Sequence, residues 1–118
     1  MAARSRRRTS GRQALQIWKF GGASLADAAA VRHAVSDEVE LMIEVHGRLS
    51  AACAVEMGRR LTRYRPAWYE EPVAPLDLDG LKAVKAALPF RMAAGERLYT
   101  LEEFGRLTAM RACDVVQP

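Results

Sequence analysis

The sequence predicts a parallel α/β fold, a partial TIM-type (β/α) barrel of about five strands alternating with four helices. Short apolar runs alternate four times with longer segments whose apolar residues recur at helical spacing. Three glutamates lie at or near the ends of successive predicted strands, and the intervals Glu44 to Glu70 and Glu70 to Glu96 are both 26 residues. A complete barrel typically needs about 250 residues, so a chain of 118 residues is expected to hold only part of one.

Each element has its own local signal. Ser24 and Asp77 are suited to N-cap positions, and Thr100 with Glu103 forms the T-x-x-E pattern of a capping box. The predicted strands are 14–20, 39–46, 67–70, 90–96 and 113–118, and the predicted helices are 24–35, 50–64, 78–88 and 100–110. The residues expected to face inward on the second helix are Ala54, Met57, Gly58 and Leu61.

The competing architecture is a self-contained doubly wound sheet of five strands. Such a sheet normally carries a glycine-rich phosphate loop after its first strand. The segment "FGGAS" at 20–24 falls short of that pattern. The sequence therefore favours the barrel and disfavours nucleotide binding.

Positive charge is concentrated at the amino terminus. The net charge is +4, yet residues 1–12 contain five arginines and no acid, so residues 13–118 are close to neutral. We expect a basic disordered tail over 1–12 and a barrel fragment over 13–118. Nucleic-acid binding or mitochondrial-type targeting by the tail is the weaker alternative.

The expected environment is reducing and cytoplasmic. No apolar run approaches the length of a membrane span, so no membrane partner is expected. Cys53 and Cys113 match no metal or redox spacing, and both are expected to be buried as small hydrophobic residues.

The three spaced glutamates predict a cluster of carboxylates. Acids at the ends of successive barrel strands converge on one face, and an oxygen-only cluster suits Mg²⁺. The alternative is that each glutamate is solvated or pairs with Arg48 or Arg97. Glu71 is expected to point to the other side of the sheet, because strand side chains alternate, and to accept a hydrogen bond or salt bridge at the rim.

His46 lies two residues after Glu44 and shares its face if the strand continues. A histidine beside a metal-bound substrate can act as a general acid or base, since its side chain titrates near neutrality. From the pattern alone, a hydrogen-bonded loop histidine is slightly favoured. His33 lies in a predicted helix and receives no chemical role.

Four motifs resemble the catalytic barrel of the enolase superfamily, in its mandelate racemase branch and among the galactonate and mannonate dehydratases. They are "IEVHGR", "YRPAWYEEPV", "AAGERLYTLEEF" and "CDVVQP", within residues 11–118. The resemblance implies one Mg²⁺ bound by Glu44, Glu70 and Glu96. It also implies a sugar-acid substrate that loses its α-proton to a base, forms an enediolate, and then loses its β-hydroxyl as water.

The resemblance also implies roles for further residues. His46 matches the histidine of the family's D-x-H-G-R pattern, which can act as the acid for the departing hydroxyl. Arg48, Arg97 and Glu71 are expected to contact the substrate or support the metal ligands.

Several positions depart from the family pattern. Glu44 stands where an aspartate is usual, and Gln16 stands where many relatives carry a catalytic lysine; Lys19 is near but out of register. The cap domain, the first strand and the last two strands have no counterpart. We expect a fragment that is inactive alone and that self-associates through exposed edges. The open alternatives are a racemase or epimerase of the same superfamily and a non-catalytic half-barrel remnant.

Overall fold

Within the part of the chain that the structure describes, five strands and four helices alternate, as predicted. The computed structural model describes residues 13–18, 24–35, 37 and 39–118. The strands are β1 (Gln13–Trp18), β2 (Val39–Glu44), β3 (Trp68–Glu70), β4 (Arg91–Ala94) and β5 (Val115–Val116). The helices are α1 (Ser24–Val35), α2 (Ala51–Leu61), α3 (Leu78–Ala87) and α4 (Leu101–Ala109), with a 3-10 turn (Thr62–Tyr64) after α2.

The order of the strands distinguishes the two candidate architectures. All neighbouring strands are parallel, and their order in the sheet is β1-β2-β3-β4-β5. A doubly wound sheet reverses its direction of growth at one strand, and the described sheet shows no such reversal. Right-handed crossovers in a single direction place successive helices on one face of the sheet, as in a (β/α) barrel.

Parallel pairing brings the ends of the strands to a common edge. Glu44 pairs in register with Glu70, and Glu70 pairs with Ala93 on β4. Ala93 in turn pairs with Val115 on β5. The carboxyl ends of β2, β3 and β4 therefore meet at the same edge, where the motif residues lie.

The core lies between the sheet and the helices. Strand side chains in this core include Leu41, Ile43, Tyr69 and Met92, and helix side chains include Ala54, Leu61, Leu81, Val84 and Leu107. On α2 the buried residues Ala54, Gly58 and Leu61 follow the predicted helical face, and Met57 is half-buried.

Most of the predicted helix starts are confirmed. The Asp77 side chain accepts a hydrogen bond from the backbone N–H of Gly80 at 2.9 Å. Thr100 and Glu103 form the reciprocal capping box. Ser50 is the N-cap of α2, so this helix starts one residue later than predicted. Helix α1 includes Ser24 as its first residue, and the side chain of Ser24 lies outside the described part.

The expectation that both cysteines are buried is wrong. Cys53 is exposed and Cys113 is partly buried. Cys53 directly precedes Ala54 on α2, and on a helix an adjacent residue lies about 100° away from the buried face. Among the described helices, none has the length and apolar character needed to cross a bilayer. The predicted tail over 1–12, Lys19 and most of "FGGAS" lie outside the described residues.

Helix α4 offers a matched test of the packing. Leu107 is fully buried, whereas Leu101 on the same helix is 91% exposed. We expect Leu107→Ala to lower the free energy of unfolding by about 2–5 kcal/mol, because it removes buried methyl groups and leaves a cavity. Leu101→Ala is expected to change it by less than about 0.5 kcal/mol. Urea unfolding of both variants measures the difference, and equal effects would contradict this placement of α4.

Candidate metal centre

Glu44 is the last residue of β2 and is almost completely buried, with 1% of its surface exposed. Its Oε1 lies 2.8 Å from Nδ1 of His46. Its Oε2 is buried and has no hydrogen-bond partner among the described residues. Burial raises the pKa of Glu44, and the charges of Glu70 and Glu96 raise it further, against a lowering by the hydrogen bond with His46. A buried, unpartnered carboxylate oxygen beside other acids is suited to a cation.

His46 reaches the acids through a turn. Strand β2 stops at Glu44, and His46 and Gly47 both adopt left-handed backbone conformations, with φ of 55° and 66°. The expected continuation of the strand to residue 46 is therefore wrong, although the predicted approach of His46 to Glu44 is observed. Nδ1 of His46 also lies 3.4 Å from Oε1 of Glu96. The histidine thus bridges two carboxylates.

The side chain of Glu71 belongs to the same cluster of acids. The expectation from strand alternation, that it points to the other side of the sheet, is therefore wrong. The φ of Glu71 is 42°, which ends the alternation directly after β3. Ligand atoms of the four residues Glu44, His46, Glu71 and Glu96 all lie within 4.8 Å of one another. Sequence reasoning placed Glu71 elsewhere because a left-handed conformation at a glutamate is uncommon and leaves no signal in the sequence.

The predicted salt bridge at Glu71 is present. Nε of Arg97 donates a hydrogen bond to Oε2 of Glu71 at 2.7 Å, and Glu71 is 2% exposed. Burial raises the pKa of Glu71, while the charge and hydrogen bond of Arg97 lower it. Nη2 of Arg97 lies against Gly47, and the φ of 66° at Gly47 favours glycine at this position. Arg48 follows on the same loop and is exposed.

Glu70 occupies a separate position at the end of β3. It is 1% exposed and is not one of the four residues of the 4.8 Å group. Its Oε1 accepts a hydrogen bond from Nε2 of Gln117 at 3.0 Å, and its Oε2 accepts one from Nε1 of Trp68 at 3.2 Å. Its charge adds to the effect of burial in raising the pKa of Glu44.

Sequence reasoning missed both donors to Glu70. Trp68 lies two residues before Glu70, so strand alternation already placed the two side chains on one face. Gln117 lies 47 residues away, and its contact depends on the tertiary fold. Gln16 lies on β1 opposite Met42, and its side chain is outside the described part.

A parallel sheet with sequential strand order and buried carboxylates along its carboxyl edge defines the class of (β/α)-barrel catalytic domains, which carry their active sites at this edge. The sequence matches the enolase C-terminal domain-like family over residues 1–118. The chain therefore belongs to that family, which confirms the resemblance seen in its motifs.

Several relatives of this chain are named as dehydratases of sugar acids. It is 41% identical over 90 residues to a D-gluconate dehydratase of Thermoproteus tenax, covering 76% of this chain and 18% of that protein. It superposes with a TM-score of 0.83 on L-talarate/galactarate dehydratase from Salmonella typhimurium LT2, at 32% identity over 94% of this chain and 29% of the other. The matched segment thus spans only 18% of the first of these dehydratases and 29% of the second.

Several solved relatives contain magnesium. The Salmonella L-talarate/galactarate dehydratase liganded with Mg and L-lyxarohydroxamate superposes with a TM-score of 0.78 at 34% identity. The superposition covers 80% of this chain and 24% of that chain. The fold of this chain is therefore compatible with a magnesium-binding barrel.

The raised pKa of Glu44 gives a pH-dependent prediction. The folded chain holds the proton of the Glu44 carboxyl group more tightly than the unfolded chain does, in which the pKa of this group is near 4.5. The contribution of protonated Glu44 to the free energy of unfolding is therefore present below about pH 4.5, and it is lost as the pH rises through the pKa of Glu44 in the folded chain. We expect the stability of Glu44→Gln relative to the wild-type chain to increase between about pH 4 and about pH 8 in metal-free buffer.

Urea unfolding at several pH values measures this effect. Glu56→Gln, which alters an exposed carboxylate on α2, controls for the general loss of one negative charge. A relative stability of Glu44→Gln that stays constant or decreases with pH would contradict the proposed burial of this carboxylate.

Proposed function

We propose that this chain forms the metal-binding part of a Mg²⁺-dependent sugar-acid dehydratase. The observation that carries the proposal is the buried Oε2 of Glu44, which has no hydrogen-bond partner among the described residues and lies in a cluster with other acids. The names of the relatives supply the class of reaction.

The donor set fits a hard divalent cation. Carboxylate oxygens are the ligands that Mg²⁺ prefers, and one or two carboxylates together with waters are usual. Glu44 and Glu96 both contact His46 and lie in the 4.8 Å group. A cation between them would offset the mutual repulsion that raises the pKa of Glu44. When bound, the metal would supply electrophilic stabilisation of negative charge on the substrate carboxylate.

We assign Glu44, Glu70 and Glu96 as the metal ligands. Glu70 is assigned in preference to Glu71 for two reasons, which are the match of Glu70 to the family motif and the positive charge of Arg97 beside Glu71. Glu71 is already paired with the cationic side chain of Arg97. The hydrogen bonds that Glu70 accepts from Trp68 and Gln117 come from neutral groups, and a carboxylate offers about four lone-pair sites, so these two bonds alone do not fill it. Arg97 and Glu71 then support the rim, and the exposed guanidinium of Arg48 is assigned to the substrate side.

His46 is assigned as the general acid of the dehydration. Contact of Nδ1 with the carboxylates of Glu44 and Glu96 orients the ring. The reaction removes the α-proton to a base and transfers a proton from His46 to the β-hydroxyl, which leaves as water. The base is not assigned to any described residue.

Magnesium is expected to stabilise the folded chain. A ligand at about 100 times its Kd adds about 2.7 kcal/mol to the free energy of unfolding, so the melting temperature should rise by several degrees. Glu70→Gln should abolish this rise, whereas Glu71→Gln should retain most of it. Differential scanning fluorimetry with and without Mg²⁺ measures the shift, and Glu56→Gln is the surface control.

Two outcomes of that experiment would count against the assignments. No shift in the wild-type chain would contradict magnesium binding. Loss of the shift in Glu71→Gln but not in Glu70→Gln would show that Glu71 is the third ligand.

The role of His46 is tested in a full-length context. Residues 39–96 would replace the matching segment of the Thermoproteus tenax dehydratase, and D-gluconate dehydration would be followed. His46→Asn is expected to lower kcat by about 10²- to 10⁴-fold, the usual contribution of general acid catalysis, with metal affinity largely retained. If metal affinity falls in parallel with kcat, His46 is instead a metal ligand. The control is a variant of Glu56, an exposed residue inside the same segment.

A further inference from the structure

The carboxylate of Glu70 is held on both of its oxygens by neutral hydrogen-bond donors. Nε2 of Gln117 lies 3.0 Å from Oε1, and Nε1 of Trp68 lies 3.2 Å from Oε2. Two donors at opposite oxygens fix both the torsion of the carboxylate and its direction. Because both donors are neutral, they orient the carboxylate without cancelling its charge.

The contact from Gln117 crosses an intervening strand. Gln117 follows β5 and Glu70 ends β3, while β4 lies between them in the sheet. The residue of β4 that is in register with Glu70 is Ala93, and Ala93 is also in register with Val115, two residues before Gln117. A methyl side chain at Ala93 leaves room for Gln117 to reach Glu70 over the end of β4.

Backbone contacts hold Gln117 in place for this reach. Its N–H donates to the carbonyl of Ala94 at 3.0 Å. Gly95 has φ of 132°, and a Cβ there would lie 2.6 Å from the carbonyl oxygen of Gln117. Only glycine therefore allows the chain after β4 to pass this close to Gln117. The close approach ties the end of β5 to the loop that carries Glu96.

The orientation of the Gln117 amide follows from hydrogen bonding. Only its nitrogen can donate a hydrogen bond to the carboxylate of Glu70, because its oxygen is an acceptor. The remaining Oε1 of Gln117 is buried and has no hydrogen-bond partner among the described residues. The cost of that buried acceptor indicates that the contact with Glu70 is favourable enough to hold the amide in this orientation.

We propose that Gln117, together with Trp68, positions the Glu70 carboxylate for the divalent cation. The inference rests on the proposed magnesium site and adds two residues to it. Gln117 is a positioning residue, since it acts through Glu70. Outer partners of metal ligands commonly affect metal affinity by about 10- to 100-fold when they are removed.

The test is titration of the metal-free 118-residue chain with Mn²⁺, followed by the electron paramagnetic resonance of the free ion. Gln117→Met keeps the length of the side chain and removes the donor, and it is expected to weaken Mn²⁺ binding by about 10-fold. Trp68→Phe removes the second donor, retains an aromatic ring and is expected to act in the same direction. Val116→Ala alters the exposed neighbour of Gln117 and should leave the affinity unchanged.

A purely structural role would give a different pattern. It predicts that Gln117→Met lowers the melting temperature without metal, while affinity per folded molecule stays at the wild-type value. Wild-type affinity in both Gln117→Met and Trp68→Phe would overturn the inference and leave the proposed function intact. Absence of Mn²⁺ binding by the wild-type chain would overturn the metal site itself, and the inference with it.

The side-chain amide of Gln117 gives a readout that needs no metal. In ¹⁵N spectra its N–H protons should exchange slowly with solvent, and Glu70→Ala should speed that exchange. Exchange at the rate of a solvated glutamine in the wild-type chain would overturn the hydrogen bond on which the inference depends.

Discussion

Parallel pairing between β2, β3 and β4 is the constraint on which the rest of the site depends. It sets Glu44 opposite Glu70 and brings the ends of three strands to one edge. Neighbouring strands are about 4.8 Å apart, so acids at such adjacent ends are forced together. A shift of one residue in the register would direct these side chains to the other face of the sheet. The register and the order of the strands therefore decide which acids meet at this edge, and so determine the charge of the site.

Short turns then complete the arrangement that the strands begin. Left-handed conformations at His46 and Glu71 redirect the chain directly after β2 and β3. The N–H of Gly47 donates to the carbonyl of Glu71 at 2.7 Å, which joins the two turns. His46 is thereby held against Glu44, and Glu71 is held against Arg97. The result is an acidic cluster that is buried at Glu44 and Glu71 and exposed at Glu96. One arginine partly offsets its negative charge, and a cation would offset the remainder. The proposed dehydratase chemistry uses this arrangement, with the metal beside the acid that assists departure of the hydroxyl.

Sequence periodicity was sufficient for the fold and for part of the site. Alternating strand and helix patterns gave all five strands, and the capping signals at Asp77 and Thr100 were correct because they depend on residues three positions apart. The spacing of the glutamates predicted the edge of the sheet at which they lie. The position of Glu71 could not be predicted, because alternation holds only while the strand continues and no residue type marks where it stops. Gln117 could not be predicted either, since its contact crosses β4 and depends on the small side chain of Ala93. The prediction that Cys53 lies in the core rests on its residue type alone, and its position on α2 leaves it exposed.

The most direct measurement of the central claim is a crystal structure of the chain grown with Mg²⁺. The account predicts one octahedral ion with carboxylate oxygens of Glu44, Glu70 and Glu96 at about 2.0–2.1 Å, the usual distance for magnesium. Oε2 of Glu44 should be among these ligands, and Gln117 should remain hydrogen-bonded to Glu70. A structure in which Oε2 of Glu44 accepts a hydrogen bond from a protein donor, with no ion between Glu44 and Glu96, would contradict the account.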